Sequence, residues 1–458
     1  MRCFSRPPRL SQHRPQYRNA MIYISFPGLL ILLLMSTVAY GESLMDVYNL
    51  AAGNDPVIQR ASANHAAALE ALPQSRANFL PSVEFVASRT EISQDVTKSA
   101  FGPDFLGSRN FNTTNYSFNL SLPLYRRDNY VARRLAKHGV TRADAEYETA
   151  QQDLLLRVAE AYFDILASRD DLEFARAEKL AIKRQLEQTR QRFDVGLVAI
   201  TDVHESQARY DLTLAEEILA SNQLDNRIEA LRTLTGTYHN EPDKLSDNIT
   251  LVRPDPEDIE QWTRTALEQN LALLAAQATL DESRENVARQ RSGHYPTLDL
   301  VASSSYDDSG GSRASTSDTN AIGLNFNLPI YAGGRTSSQT RQALHLLEAA
   351  RQSLEEQRRN TQRNVRNAYL GVLSGISRVQ ALKQALVSNQ SALRAAEAGY
   401  DVGTRTTVDV LLARRNLFSA QRDYAQSRYD YILDTLRLKQ ASGSLTTDSL
   451  QAINNWLH

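Results

Sequence analysis

Tyr116-Ser117-Phe118-Asn119-Leu120-Ser121-Leu122-Pro123-Leu124-Tyr125 alternates large apolar with small polar side chains and then runs into Pro-Leu-Tyr. The pattern returns at Ile322-Gly323-Leu324-Asn325-Phe326-Asn327-Leu328-Pro329-Ile330-Tyr331. Alternation with period two gives a β-strand one apolar and one polar face. Each run has a weaker partner upstream, Val83-Glu84-Phe85-Val86-Ala87 and Leu298-Asp299-Leu300-Val301-Ala302, with polar loops at 91–110 and 307–319 between the members of each pair. The polar faces carry Asn, Ser and Gly with little charge, as the wall of a water-filled lumen would. The runs also allow the roughly 9–11 residues of a membrane-crossing strand. A soluble sheet with one face on a core is the competing reading.

The repeat extends past the strands. Phe193-Asp194-Val195-Gly196 returns as Tyr400-Asp401-Val402-Gly403, and Asp202 and Asp409 follow about 207 residues apart (409 − 202). Upstream, Leu80-Pro81-Ser82-Val83 matches Tyr295-Pro296-Thr297-Leu298 at a shift of about 215 (296 − 81). A chain of 458 residues would ordinarily suggest three domains. The repeat argues for one duplicated body.

No proline lies between Leu124 and Glu241, or from Ile330 to the end, so both stretches are free to be helical. Apolar residues there recur at helical spacing, as in Leu155, Ala159, Tyr162, Leu166. The pattern predicts helices over about 129–193 and 336–400, each roughly 100 Å long at 1.5 Å per residue. Each ends at a glycine turn, Gly196 or Gly403, and returns as a helix half as long, 202–234 or 409–440. A second short helix precedes each strand pair, 44–78 and 259–292. Two half-length helices stacked end to end match one long helix, which places the junctions at mid-height, where Pro242, Pro254 and Pro256 suit an irregular belt. The expected organisation is a leader, 1–41; a first repeat, 42–240, with hairpin 79–125 and tip 194–201; a linker, 241–258; a second repeat, 259–441, with hairpin 294–331 and tip 401–408; and a tail, 442–458.

Arg2, Arg6, Arg9, Arg14 and Arg18 precede an apolar stretch from Met21 to Val38; Ala39 and Gly41 follow, and Glu42 is the first acid. This order reads as a secretory signal peptide, with Met1 or Met21 as the start. Pro27-Gly28 interrupts the apolar stretch and argues against a membrane anchor. Cys3, the only cysteine, lies ahead of it, so no disulfide, thiolate metal site or lipid-bearing cysteine belongs to the processed chain. Formal net charge is −2 and no basic stripe appears, which argues against nucleic acid as a partner. No HExxH, Walker loop, GxGxxG or nucleophile elbow occurs, so no catalytic residues, metal or cofactor are expected, and the chain does not read as an enzyme.

Beyond residue 41 no stretch reaches the ~18 apolar residues of a membrane-spanning helix. A mature chain that crosses a membrane must therefore do so as a closed barrel. Four strands leave two open edges, and bacterial barrels need at least about eight strands. Copies of the chain must pool their strands, and two, three or four copies all satisfy the count. Other functional classes consistent with long helices are a secreted α-helical pore-former and a structural rod.

Over 42 to the C-terminus the chain resembles the TolC-like outer membrane factor family, the exit ducts of Gram-negative bacteria. The likeness is densest at 184–203 (RQLEQTRQRFDVGLVAITDV), at 397–411 (EAGYDVGTRTTVDVL) and at 293–300 (GHYPTLDL). The resemblance implies a fold that is mainly α with membrane β. Three copies would form a homotrimer with a 12-stranded transmembrane barrel in outer-membrane lipid, continuous with a periplasmic α-helical barrel and a mixed equatorial belt. It implies a passive, gated conduit for multidrug efflux and type I protein secretion, recruited by periplasmic adaptor proteins and by inner-membrane efflux or ABC-type pumps. It further implies a periplasmic gate latch in which Tyr400 and Arg405 of the second tip bond Thr201 and Asp202 of the first. Asp409 is the expected pore carboxylate, facing the axis where its copies converge and raise one another's pKa. The family has a second aspartate where this chain has Leu412, so one acidic ring and weaker cation block are expected. Val195, Gly196 and Leu197, with Val402, Gly403 and Thr404, match the family's adaptor-docking tips.

Overall fold

The computed structural model describes residues 42–98, 106–239, 241–246, 249–310 and 314–457; the expected leader, both candidate start methionines and Cys3 lie outside the described residues. In chain order the elements are α1 (Leu44–Asn54), α2 (Pro56–Leu69), α3 (Ala71–Ala77), β1 (Ser82–Val96), β2 (Gly107–Arg126), α4 (Arg127–Asp194) and α5 (Ile200–Thr235). Then follow α6 (Ile259–Gln269), α7 (Leu271–Ser292), β3 (Thr297–Ser309), β4 (Ser315–Asn327), α8 (Arg335–Asp401), α9 (Thr407–Ser442) and α10 (Thr447–Asn454). The long helices hold 68 and 67 residues, about 100 Å each.

The short helices preceding the strands are broken, not continuous. Asp55 adopts an extended backbone and its carboxylate accepts from the amides of Val57 and Ile58, so it ends α1 and caps α2, with Pro56 at the first helical position. Asn270 does the same between α6 and α7, accepting from Leu273 N and donating through Nδ2 to Ala441 O. The two breaks lie 215 residues apart (270 − 55), the same shift as the strand repeat. An Asx side chain can take over backbone donors in this way, which interrupts a helix that apolar spacing alone would continue.

The four strands form one antiparallel sheet in the order β1-β2-β3-β4. The strands run farther than the apolar pattern suggests. Glu91 pairs with Asn112, Ser93 with Asn110 and Asp308 with Thr316, so about half of the expected polar loops is strand. The added residues are mostly polar, among them Ser93, Gln94, Asp95, Asn110 and Thr316, and backbone groups pair whatever the polarity of the side chain. The two hairpins are joined by pairing between β2 and β3, as at Ser117 with Ser305 and Leu120 with Ala302. Val83, Phe85, Phe118, Leu120, Leu122, Leu300, Leu324 and Phe326 fall on one face by this register. β2 passes directly into α4, and Arg126 at that corner holds the buried Asp299 of β3 through paired bonds of 2.8 and 2.9 Å.

The apolar core sits at mid-height. It joins Leu44 and Val47 of α1, Leu154, Val158, Tyr162 and Ile165 of α4, Leu231 of α5, Ile432 and Leu436 of α9, and Leu450 and Ile453 of α10. There the start of the described chain is held from several sides. Tyr162 Oη donates to the carbonyls of Glu42 and Asp243, and His239 Nδ1 lies 2.5 Å from Glu42 Oε2. Gly443, the left-handed cap of α9 (φ +80°), sits so close to the α6–α7 break that an added Cβ would lie 2.4 Å from Gln269 O.

Two outcomes follow for stability. Burial alone would push the Asp55 carboxyl up, but the Arg157 guanidinium 2.6 Å away and the amides of Val57 and Ile58 outweigh it and hold it below the usual carboxylate range. A depressed folded value contributes stability that is complete above the unfolded value of about 3.9 and is lost as pH falls through the folded one. Asp55→Asn should therefore lower the thermal midpoint at neutral pH, with the gap to wild type closing below about pH 4. A gap that stays constant to pH 3 would mean that the ion pair is not its source. Gly443→Ala should cost at least about 1–3 kcal/mol from the left-handed backbone alone, read as a lower midpoint in circular dichroism melts. An unchanged midpoint would mean that α6 and α7 shift freely.

Candidate functional site

The ends of the two long helices farthest from the sheet are built alike. α4 closes with Gly196 N donating to Phe193 O (2.8 Å) and Leu197 N to Arg192 O (2.8 Å). α8 closes with Gly403 N donating to Tyr400 O (3.1 Å) and Thr404 N to Gly399 O (2.8 Å). Both are Schellman turns, and the left-handed glycines (φ +73° and +76°) are what the turn demands. Val195, Leu197 and Val402 beside them stand 71, 72 and 75 % exposed.

The returning helices begin differently. α5 starts after Ala199 with no side-chain cap. α9 starts with a capping box: Asp409 N donates to Thr406 Oγ1, while Thr406 N and Oγ1 both donate to Asp409 Oδ2 at 2.9 Å. These two bonds, with the Arg405 guanidinium 3.9 Å away, hold the Asp409 carboxyl below the usual range. Within one chain its environment favours the charged form, the opposite sense to the mutual raising expected of converging copies. Leu412, one turn on, is exposed.

The four expected latch residues lie at these tips, but a single chain does not join them. Among the described residues Tyr400 and Arg405 bond neither Thr201 nor Asp202. The Tyr400 ring lies under the Arg192 guanidinium at 4.6 Å and its hydroxyl takes a 3.4 Å contact from Thr407 Oγ1. Arg192 also faces Asp401 at 3.5 Å. Arg405 packs on Gly399, where an added Cβ would lie 2.7 Å from its Cγ. The residue that ties the second tip to the first helix pair is thus Arg192, which sequence reasoning passed over. Its signal is a cation in the last turn of a helix ahead of a glycine cap. Behind the tips a cleft of about 630 Å³ opens among α4, α8 and α9, lined by Gln185, Gln188, Arg192, Glu397, Tyr400 and Arg414.

α4 and α9 are joined by a row of polar bonds rising from this cleft. Arg414 donates to Ala181 O (2.9 Å), Arg422 faces Glu178 at 3.4 Å, and Tyr429 Oη donates to Asp170 at 2.8 Å, while Arg414 also holds Glu397 of α8. Burial pushes both the Tyr429 hydroxyl and the Asp170 carboxyl up. No described helix is long and apolar enough to cross a membrane, and no group of His, Asp and Glu among the described residues is arranged to hold a metal. The arrangement offers a charged helix end beside an open polar cleft.

The profile of the family described as outer membrane efflux protein matches residues 47–237 and 262–444, which together span most of the chain. The chain belongs to the outer membrane efflux protein family. It is 40 % identical over 425 residues to the outer membrane protein TolC of Vibrio cholerae, covering 92 % of this chain and 95 % of that one. It is 30 % identical over 433 residues to the alkaline protease secretion protein AprF of Pseudomonas aeruginosa, covering 92 % of this chain and 89 % of that one. The CmeC outer membrane channel of Campylobacter jejuni has the same fold, with a TM-score of 0.77 at 19 % identity over 91 % of this chain and 90 % of that one. The protein is an outer-membrane exit channel of Gram-negative type, and its family consists of transport conduits.

Proposed function

We propose that three copies of this chain form one gated duct that carries drugs and secreted proteins out of the cell. The observation that carries the reading is the sheet. Among the described residues β1 and β4 are both unpaired edges, and their apolar face is bare: Ile322, Leu324 and Phe326 are 62–78 % exposed, and Ile330 just beyond is 90 % exposed. Such a sheet is unsuited to water or to lipid until its edges meet partner strands. Three copies supply twelve strands, and the helices leaving them form a periplasmic tube about one long helix deep. Each copy is a duplicated unit, 42–240 and 259–441, joined through the linker 241–258 and the tail 442–458 at the belt, and delivered by the leader 1–41.

The tube is passive. Inner-membrane efflux or ABC-type pumps supply the energy, and periplasmic adaptors dock on the exposed turns at Val195, Gly196, Leu197, Val402, Gly403 and Thr404. The likeness to TolC and to AprF supports both cargo classes. The latch forms when copies assemble, with Tyr400 and Arg405 meeting Thr201 and Asp202. The cap that keeps Asp409 charged also suits it to a cation-binding ring at the axis, single because Leu412 replaces the second acid. Exposed ion pairs are worth about 0–1 kcal/mol each, so a threefold set biases a gate without welding it.

The purified mature protein should have the mass of a trimer and conduct in a planar bilayer; a dissolved, non-conducting monomer would overturn the reading. Tyr400→Phe with Arg405→Ala should raise single-channel conductance severalfold, about fivefold for the loss of ~1 kcal/mol of bias. Unchanged conductance would remove the latch assignment. Asp409→Asn preserves an acceptor for Thr406 N and removes the charge, so block by divalent and trivalent cations should fall about tenfold. Persistent block would place the ring elsewhere.

A further inference from the structure

Glu178 of α4 has no exposed surface, and two guanidinia from two different helices face it. Arg209 of α5 donates through Nη2 to Oε1 at 2.5 Å, and Arg422 of α9 donates through Nη1 to Oε2 at 3.4 Å. Glu178 lies 16 residues before the end of α4 (194 − 178) and Arg422 lies 15 residues into α9 (422 − 407). Both are therefore about 24 Å above the tips.

We propose that Glu178 is the centre of a second lock on the channel, with Arg422 as its releasable arm and Arg209 as its standing counter-ion. The inference rests on the reading of the tips as a gate. Its argument is one of charge and burial. A carboxylate without exposed surface is tolerated only when it is paired, and losing every partner is costly. Glu178 has two, and they are unequal. Arg209 belongs to the helix that shares a tip with α4, makes the shorter bond and is only 16 % exposed; Arg422 belongs to the other tip's helix, makes the longer bond and is 32 % exposed.

If α9 swings away from α4, Arg422 leaves and Glu178 keeps Arg209. The charge is never orphaned, so the contact can break and re-form. Arg422 is not stranded either, because its side chain is already 32 % exposed and water can solvate the guanidinium once it leaves Glu178. A single guanidinium would not permit this: breaking that pair would leave a bare buried anion and make the closed state permanent. The second arginine thus converts a structural ion pair into a reversible one. Arg422 is a positioning residue in this scheme and touches no cargo.

The test compares wild type with Arg422→Gln, Arg422→Lys, Arg209→Gln and the Tyr400→Phe/Arg405→Ala pair, as full-length mature trimers in planar bilayers, with thermal midpoints measured alongside. Arg422→Gln should raise mean single-channel conductance about fivefold at an unchanged thermal midpoint, and Arg422→Lys should return it towards the wild-type level. Arg209→Gln should lower the midpoint and leave conductance unraised. If Arg422→Gln conducts like wild type while the Tyr400/Arg405 variant conducts more, the lock is disproved and the tip gate stands. If neither variant changes conductance, the gate reading itself fails. An Arg422→Lys channel as open as Arg422→Gln, or an Arg209→Gln channel opened to the same degree, would also overturn the assignment.

Discussion

Among the described residues the backbone N–H and C=O groups along the outer edges of β1 and β4 have no strand partner, and the rest of the molecule is organised around that shortage. In the hydrocarbon region each unsatisfied group costs several kcal/mol. β4 alone is 13 residues long, so about a dozen groups face outward along one edge. No rearrangement of a four-stranded sheet removes them. Pairing with strands of further copies, as proposed above, would satisfy them, while the apolar side chains beside the edge would face the hydrocarbon. The requirement for partners is therefore built into the chain before any interface is considered.

The helices transmit this requirement downward. Because β2 runs into α4 without a loop, the tilt of the strands sets the direction in which the helices leave the sheet. Arg126 and Asp299 stiffen that corner by joining the end of one repeat's hairpin to the start of the other's. The apolar core is concentrated at mid-height, where the short helices, the tail and residues near Glu42 surround α4. Below it the helix pairs are thin, and α4 meets α9 largely through polar bonds. Packing resists motion at the belt, whereas polar contacts between helices can exchange partners.

Asp409 shows how one residue can serve two ends. As the third residue of α9 it completes a capping box, and the bonds that do so also keep its carboxyl charged. Its place at a helix start was legible from the glycine turn before it. The box itself was less visible, since it depends on the neighbouring Thr406 adopting an extended backbone. Tyr400, Arg405, Thr201 and Asp202 were legible as residues of the tips, but their pairing was not. Within the chain Tyr400 is taken by Arg192, which is distant in sequence and adjacent only because α4 and α8 end at the same height.

What the sequence by itself determined was everything set by local periodicity and backbone chemistry. The two long proline-free helices, their glycine turns, the alternating strands and the duplication all follow from side-chain spacing along one segment. The tertiary structure decided what depends on side chains meeting from distant segments: the β2–β3 pairing that fuses two hairpins into one sheet, the breaks at Asp55 and Asn270, and the sharing of Glu178 by two arginines. The physical reason is the same in each case. A strand's register, an Asx side chain's choice between solvent and backbone, and a buried acid's counter-ions are all fixed by neighbours that no local pattern encodes.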